Sequence, residues 1–334
     1  SFLRHRLSIR EVHMLDESIR DRALGAVLGA AVGDALGASY EFLSAAEIAH
    51  QGEIEMRAGA THLQRDKGEW TDDTAMSTVI LQAAATYHEL LSATALDSVA
   101  TGFQEWAESN PPAIGAQTKR VLGASGARTA EALLRDSKHL PGTHKGGNGS
   151  LMRTAPVALP YLGEGKGGEA VEAAGVISDL THYDLRARQA CRMWTNAIRH
   201  AILVGTVQGV PAYLQNYADT EEQRFWVKQF QAAEQSDVSA HVETNGWVVD
   251  ALVCAWHAIA TTPGRGGEHF QKALRKAVAL GHDTDTVASI AGALLGACWG
   301  ASAIPAEWTA CLHGYPGWTV SDLGRLVDEI LAAQ

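Results

Sequence analysis

Two short acidic blocks, Thr71-Asp72-Asp73-Thr74 and Asp283-Thr284-Asp285-Thr286, hold the densest oxygen chemistry in the chain. Each stands just before an apolar segment of helical period, the first running from Ala75 to Leu91 and the second starting at Val287. Thr and Asp are ordinary helix caps and acidic side chains favour a first turn, so one block alone reads as capping. A cap needs one side-chain oxygen, and each block offers four oxygen-bearing side chains. The surplus carboxylates repel one another unless a cation lies between them. Carboxylates and hydroxyls, with no histidine or thiolate among them, select Mg2+ or Mn2+ over zinc. Brought together, the blocks supply about six ligands, enough for two ions with water completing each shell. Such a pair generates hydroxide and clamps the oxygens of a reacting group. The expectation is a metal-dependent hydrolase.

Other segments could serve this centre. In His144-Lys145-Gly146-Gly147-Asn148-Gly149-Ser150 the glycines expose successive backbone N–H groups and permit positive φ, as an anion-binding nest requires. A plain loop explains the same residues equally well. His182, in Thr181-His182-Tyr183-Asp184, precedes a helix that Thr181 or Asp184 can cap, and a lone histidine is ordinarily structural. The histidines show no H-x-x-x-H spacing on a clear helix face, so a zinc site is not expected. No G-x-S-x-G elbow and no local Cys/His pair offers a covalent nucleophile.

These groups need elements to position them. Gly25, Gly29, Gly33 and Gly37 recur every fourth residue in RALGAVLGAAVGDALGASYEF. This is not the dinucleotide fingerprint, which needs a preceding strand. A glycine stripe on one helix face lets another backbone approach, so this helix is expected at the centre of a bundle, carrying Asp34 into it. Glu41 follows just past the stripe, between Tyr40 and Phe42. Further helices are predicted at about 75–91, 94–109, 114–135, 168–180, 184–204, 222–234, 244–262, 268–280, 286–300 and 320–333. Residues 44–69 read as a turn-rich connection, and loops rich in Gly and Pro fall at 110–112, 141–149, 160–168 and 262–267. No fixed-period repeat, low-complexity tract or domain boundary is evident. Residues 1–20 read as an extension and 21–334 as one all-α domain.

Bulk composition agrees. Of 334 residues, 46% are hydrophobic and 19% charged, enough for a large core. Alanine is abundant and aromatic residues are only 7%, which suits close-packed helices better than sheets. The net charge of −11 argues against non-specific nucleic-acid binding, which needs lysine and arginine against phosphates. Cys191, Cys254, Cys298 and Cys311 are scattered with no C-x-x-C pair, as in a reducing compartment. The charged first residues lack the apolar segment of a secretory signal, and Ala23–Val32 is too short to span a bilayer. A soluble, cytoplasmic monomer is expected.

Together these segments resemble the ADP-ribosylglycohydrolase family, which includes the dinitrogenase reductase-activating glycohydrolases and the ADP-ribosyl-acceptor hydrolases. The resemblance rests on LGAAVGDALGASYEF at 28–42, GEWTDDTAMS at 68–77, GGNGSLMRTAPVAL at 146–159, THYD at 181–184 and GHDTDTVASIAGALLGACWG at 281–300, in the family's order. It implies an all-α fold around a cleft with two Mg2+ or Mn2+ ions. Thr71, Asp72 and Asp73 match the first ligand group, and Asp283, Asp285 and Thr286 the second. Glu41 matches an acidic residue on a mobile segment near metals and substrate; Glu41 or Asp73 is the candidate general base or acid. Gly147, Asn148, Gly149 and Ser150 match the loop that cradles the diphosphate and distal ribose, and His182 a substrate-contacting histidine. The implied reaction is hydrolysis of the bond between ADP-ribose and a modified protein side chain, with arginine the first linkage expected. Serine linkages, an O-acetyl ester, a 1″-phosphate, or ADP-ribose binding with weak turnover are the alternatives. One departure stands out: arginine-specific relatives often carry an aspartate in a Pro-x-Asp-x-Gly segment, and here Ala113 occupies it in Pro111-Pro112-Ala113-Ile114-Gly115.

Overall fold

The computed structural model describes residues 9–334 except 60–63, 125, 144 and 243. The first half of the chain forms α1 (Ile9–Ala38), α2 (Ala45–Ala49), α3 (Asp72–Tyr87), α4 (Ala93–Glu108), α5 (Ala116–Ala124) and α6 (Ala130–Lys138). After short 3-10 turns at 151–161 come α7 (Gly167–Asp179), α8 (Leu185–Val204), α9 (Gly209–Asn216), α10 (Thr220–Ala233), α11 (Val248–Ala260), α12 (Gly266–Ala279), α13 (Thr284–Trp299) and α14 (Ala306–Thr309). A two-residue ribbon, β1 (His313–Gly314) paired antiparallel with β2 (Trp318–Thr319), leads into α15 (Val320–Leu331). The protein is all-α, as its composition predicts, with one continuous core.

The centre of that core is the pair α1 and α13. A Cβ added at Gly25, Gly29 or Gly33 would overlap the carbonyl oxygen of Gly296, Gly292 or Ala288 on α13. One at Gly37 would stand 2.5 Å from the Asp285 Cα. Only glycine permits this approach, and the facing Gly292 and Gly296 meet α1 in the same way. The expected central helix is therefore present, and it brings Asp34 to complete burial. It also starts earlier than expected: residues 9–20 belong to α1, which runs unbroken from Ile9 to Ala38.

Local side chains explain where the helices begin. Thr71 caps α3 by accepting from Asp73 N, and Asp184 caps α8 by accepting from Arg186 N and Ala187 N. Ser44 and Glu47 form a reciprocal capping box that makes α2 inside the stretch read as a loop. The helix expected over 114–135 is two, because α5 ends at Ala124 and Thr129 caps a new helix through Ala132 N. The helix expected over 244–262 starts only at Val248, with Asn245-Gly246 in the preceding turn. The 205–221 stretch contains α9, which was not anticipated. Among the described residues no helix is long and apolar enough to cross a membrane. All four cysteines are free thiols.

Candidate metal centre and substrate cleft

Asp34 organises the first acidic block from α1. Its two carboxylate oxygens accept from Thr71 N at 3.0–3.1 Å, Thr74 N at 3.0 Å and Thr74 Oγ1 at 2.6 Å. A carboxylate from one helix thus serves the unpaired amides and positive end of another, α3. One turn further along α1, Gly37 O accepts from Thr284 Oγ1 at 2.8 Å, seating the start of α13. The same face of α1 therefore fixes both acidic blocks. The C-terminal ribbon braces the approach: Trp70 N donates to His313 O at 3.0 Å and Trp70 Nε1 to Tyr315 O at 3.2 Å.

The result is two carboxylate triads, Asp34–Asp73–Asp285 and Glu41–Asp283–Asp285, sharing Asp285. Within each, one oxygen per residue lies inside 4.8 Å of the others. At that spacing, each ionised pair repels by roughly 3 kcal/mol at an effective dielectric of about 20. Burial first, then these neighbours, pushes the Asp73 and Asp285 carboxyls well above the usual carboxylate range. Burial pushes Glu41 up to about 8, with Asp283 adding to it, and Asp72 up to about 7, with Asp34 adding to it. Asp73 Oδ1 and Asp285 Oδ1 are buried without a hydrogen-bond partner. Orphaned carboxylate oxygens, clustered and facing one another, fit a hard divalent cation, and the donor set is oxygen alone. These residues could hold metal ions.

A cavity of about 590 Å³ opens over this centre, a size suited to a nucleotide-scale ligand. Glu41, Asp72, Asp73, Asp283, Asp285 and Thr286 line it, with Gly147, Asn148, Gly149 and His182 on one wall. Pro111 through Lys119, including the first turn of α5, also line it, with Gln117 and Thr118 against Gly147 and Gly149. Thr71 lies outside this cavity, its hydroxyl donating to Asp73 Oδ2 at 3.1 Å.

The glycine-rich loop departs from the expected nest. None of Gly146, Gly147 and Gly149 takes a left-handed φ, and Asn148 N donates to Gly246 O. The glycines are needed for closeness instead. A Cβ at Gly149 would stand 2.9 Å from the His182 ring, and one at Gly146 would stand 3.1 Å from Asp184 Oδ1. Asn148 also spends its side-chain N–H groups, on Asp283 Oδ2 at 2.6 Å and Asn245 O at 3.0 Å. It orients a carboxylate of the centre. Ser150 does not line the cavity; its hydroxyl accepts from Ser178 Oγ at 2.8 Å. His144 lies outside the described residues.

His182 is buried, and burial followed by the Arg153 charge brings its pKa down to about 3, so the ring is neutral. Arg153 Nη2 donates to Thr181 Oγ1 at 2.8 Å, and that hydroxyl pairs with His182 Nδ1 at 2.7 Å. His182 Nε2 lies beside Gly147 and Gly149 at the cavity wall. Two supporting residues gave no sequence signal beyond a turn dipeptide and a loop cation. Asn245 accepts from Asp283 N at 3.0 Å and donates to Gly281 O at 2.8 Å, and Arg65 lies buried near Asp72.

A family model described as ADP-ribosylglycohydrolase matches residues 15–334. The chain belongs to the ADP-ribosylglycohydrolase family. It is 30% identical to an ADP-ribosyl-[dinitrogen reductase] glycohydrolase of Rhodospirillum rubrum, over 96% of this chain and 98% of that one. It is 28% identical to an ADP-ribosylarginine hydrolase of Pseudomonas putida (strain GB-1), over 90% of this chain and 77% of the relative. A solved structure of an ADP-ribosylglycohydrolase-related protein complex superimposes with a TM-score of 0.72 at 27% identity, covering 95% of this chain and 99% of its own. The ADP-ribosylglycohydrolase resemblance read from the short motifs thus extends over nearly the whole chain.

Proposed function

We propose that this chain hydrolyses the bond between ADP-ribose and a modified protein side chain, with two divalent ions, Mg2+ or Mn2+, held by its acidic blocks. The observation that carries the reading is the pair of carboxylate triads sharing Asp285 at the lining of the cleft. Asp72, Asp73, Asp283 and Asp285, with Thr71 and Thr286, form the ligand set, and Asp34 and Glu41 border it. When bound, such ions polarise the distal ribose hydroxyls and acidify a water molecule.

The chain's own residues do the rest. Gly147, Gly149 and the neutral His182 ring hold the distal ribose and diphosphate. The first turn of α5, which lies against them, and Lys119 add positive charge to the cleft. Glu41 lines the cavity and is only partly buried, and with cations offsetting the neighbouring carboxylates its ionised carboxylate would take a proton from the attacking water. Asp73 is fully enclosed and bonded to Thr71, which leaves Glu41 the better base. Such general-base help contributes about 10²–10⁴-fold. The water oxygen bonds to C1″, its proton goes to Glu41, and the electron pair of the broken bond leaves with the acceptor atom.

The activities named for the Rhodospirillum and Pseudomonas relatives support ADP-ribose as the substrate and make arginine the linkage to test first. Purified protein with Mg2+ or Mn2+ should release ADP-ribose from at least one of a panel of arginine-, serine- and carboxylate-linked peptides. Release from none would overturn the reading. A second reading, ADP-ribose binding without turnover, draws on Ala113 at the cleft wall, where no carboxylate is available. It predicts tight ADP-ribose binding and no product even with ions supplied.

A further inference from the structure

Arg65 lies beside the acidic centre without pairing to it. It is 7% exposed, and Nη1 reaches only Trp70 O at 3.5 Å, the long limit of a hydrogen bond. Its Nε and Nη2 have no partner among the described residues. Burying guanidinium N–H groups unsatisfied is costly, so a partner belongs there. A mere counter-ion would sit in contact with one of the nearby carboxylates. Asp34, Glu41 and Asp72 feel the Arg65 charge, yet none of them bonds it.

Arg65 lines a side pocket of about 130 Å³ together with Glu69, Trp70, Asp72, Trp106 and Ala113. Asp72, Pro111, Pro112 and Ala113 belong to both this pocket and the main cleft, so the two adjoin beside the acidic centre. At roughly 30 Å³ per water, the side pocket has room for a small polar group and none for a nucleotide. Glu69 is occupied, its Oε2 accepting from Asp66 N at 2.9 Å, and Asp72 belongs to the metal centre.

We infer that this pocket is the acceptor subsite and that Arg65 recognises an acceptor departing as an oxyanion, a carboxylate or a phosphate, in preference to a guanidinium. The inference rests on the hydrolase reading and makes the acceptor class specific. A guanidino acceptor is itself a cation, which the Arg65 guanidinium repels, and Ala113 supplies no carboxylate to offset that repulsion. An ester or phosphate acceptor leaves as an anion: water adds to C1″ and gives its proton to Glu41, the C1″–O bond breaks, and its electron pair stays on the leaving oxygen. The unpaired N–H groups of Arg65 then receive a charge that develops in the transition state, where fixed donors act most strongly. On this inference arginine, the linkage first expected from the resemblance, is the poorer acceptor.

The test compares kcat/KM for ADP-ribose 1″-phosphate, a glutamate-linked ADP-ribosyl peptide and an arginine-linked one, using wild type, Arg65→Gln and Arg65→Lys. The expected result is that wild type prefers one of the two oxyanion acceptors over arginine by about tenfold or more. Arg65→Gln should collapse that preference mainly through kcat, and Arg65→Lys should restore part of it. Preference for the arginine-linked peptide, or equal loss on all substrates in Arg65→Gln at unchanged melting temperature, would overturn the inference. Turnover of no substrate by wild type would instead count against the hydrolase reading. The subsite then stands or falls on calorimetry with inorganic phosphate, whose binding should weaken about fivefold or more in Arg65→Gln, whereas equal binding would refute it.

Discussion

At the scale of single residues, the acidic centre depends on side chains that never touch the cleft. Asn245 is the clearest, since it grips Asp283 through the backbone N–H and ties the segment to Gly281. Outer partners of metal ligands typically matter by about 10–100-fold in affinity or rate. Asn245→Ala should therefore weaken Mn2+ binding by about tenfold or more while the circular dichroism spectrum stays helical. Unchanged Mn2+ affinity by calorimetry would show that Asp283 needs no such support. Asp285 is the only residue common to both triads, so Asp285→Ala should abolish occupancy by a second ion, read as metal-to-protein stoichiometry. Much of this chemistry was legible in the residues themselves, because two blocks each held more oxygens than a cap can use. The supporting amides were not legible. Asn245 sits in an ordinary Asn-Gly turn, and only the fold reveals that its side chain reaches Asp283.

Among the elements, the glycine stripe makes the sharpest prediction. Gly33→Ala drives a methyl group into the Ala288 carbonyl, where neither backbone can yield without parting α1 from α13. A loss of about 2 kcal/mol or more in urea unfolding is expected, as for overpacked cores. Gly168→Ala, with open space around it, should change stability by less than about 0.5 kcal/mol. Similar losses at both positions would contradict the close-packed axis. The period of four in the sequence carried this information directly. The split of the 114–135 segment was hidden because Gly123 and Gly126 are tolerated inside a helical pattern until Thr129 captures Ala132 N. The ribbon after α14 was hidden for a different reason. Its two-residue strands have no periodicity to detect, and their function is to seat Trp70, far away in sequence.

For the whole molecule, concentrating raised carboxyls in one centre sets a pH dependence. Glu41 is pushed up to about 8 and Asp72 up to about 7, whereas unfolded carboxyls titrate near 4. Between about pH 4 and pH 8 the metal-free native state thus holds more protons than the unfolded one, and these groups lose stabilising effect as pH rises. The metal-free melting temperature should be higher at about pH 5.5 than at about pH 8, and Mn2+ should raise it more at the higher pH. A metal-free melting temperature that climbs across that window would mean the carboxyls are not perturbed in this way. Whether the paired triads confer metal-dependent ADP-ribosyl hydrolysis is answered by stripping the protein with a chelator and following ADP-ribose release, from the linkage panel, as Mn2+ or Mg2+ is returned. Stripped protein should release none, added ion should restore release, and Asp285→Ala should release none at any ion concentration. Release that persists after stripping, or in Asp285→Ala, would contradict that metal dependence.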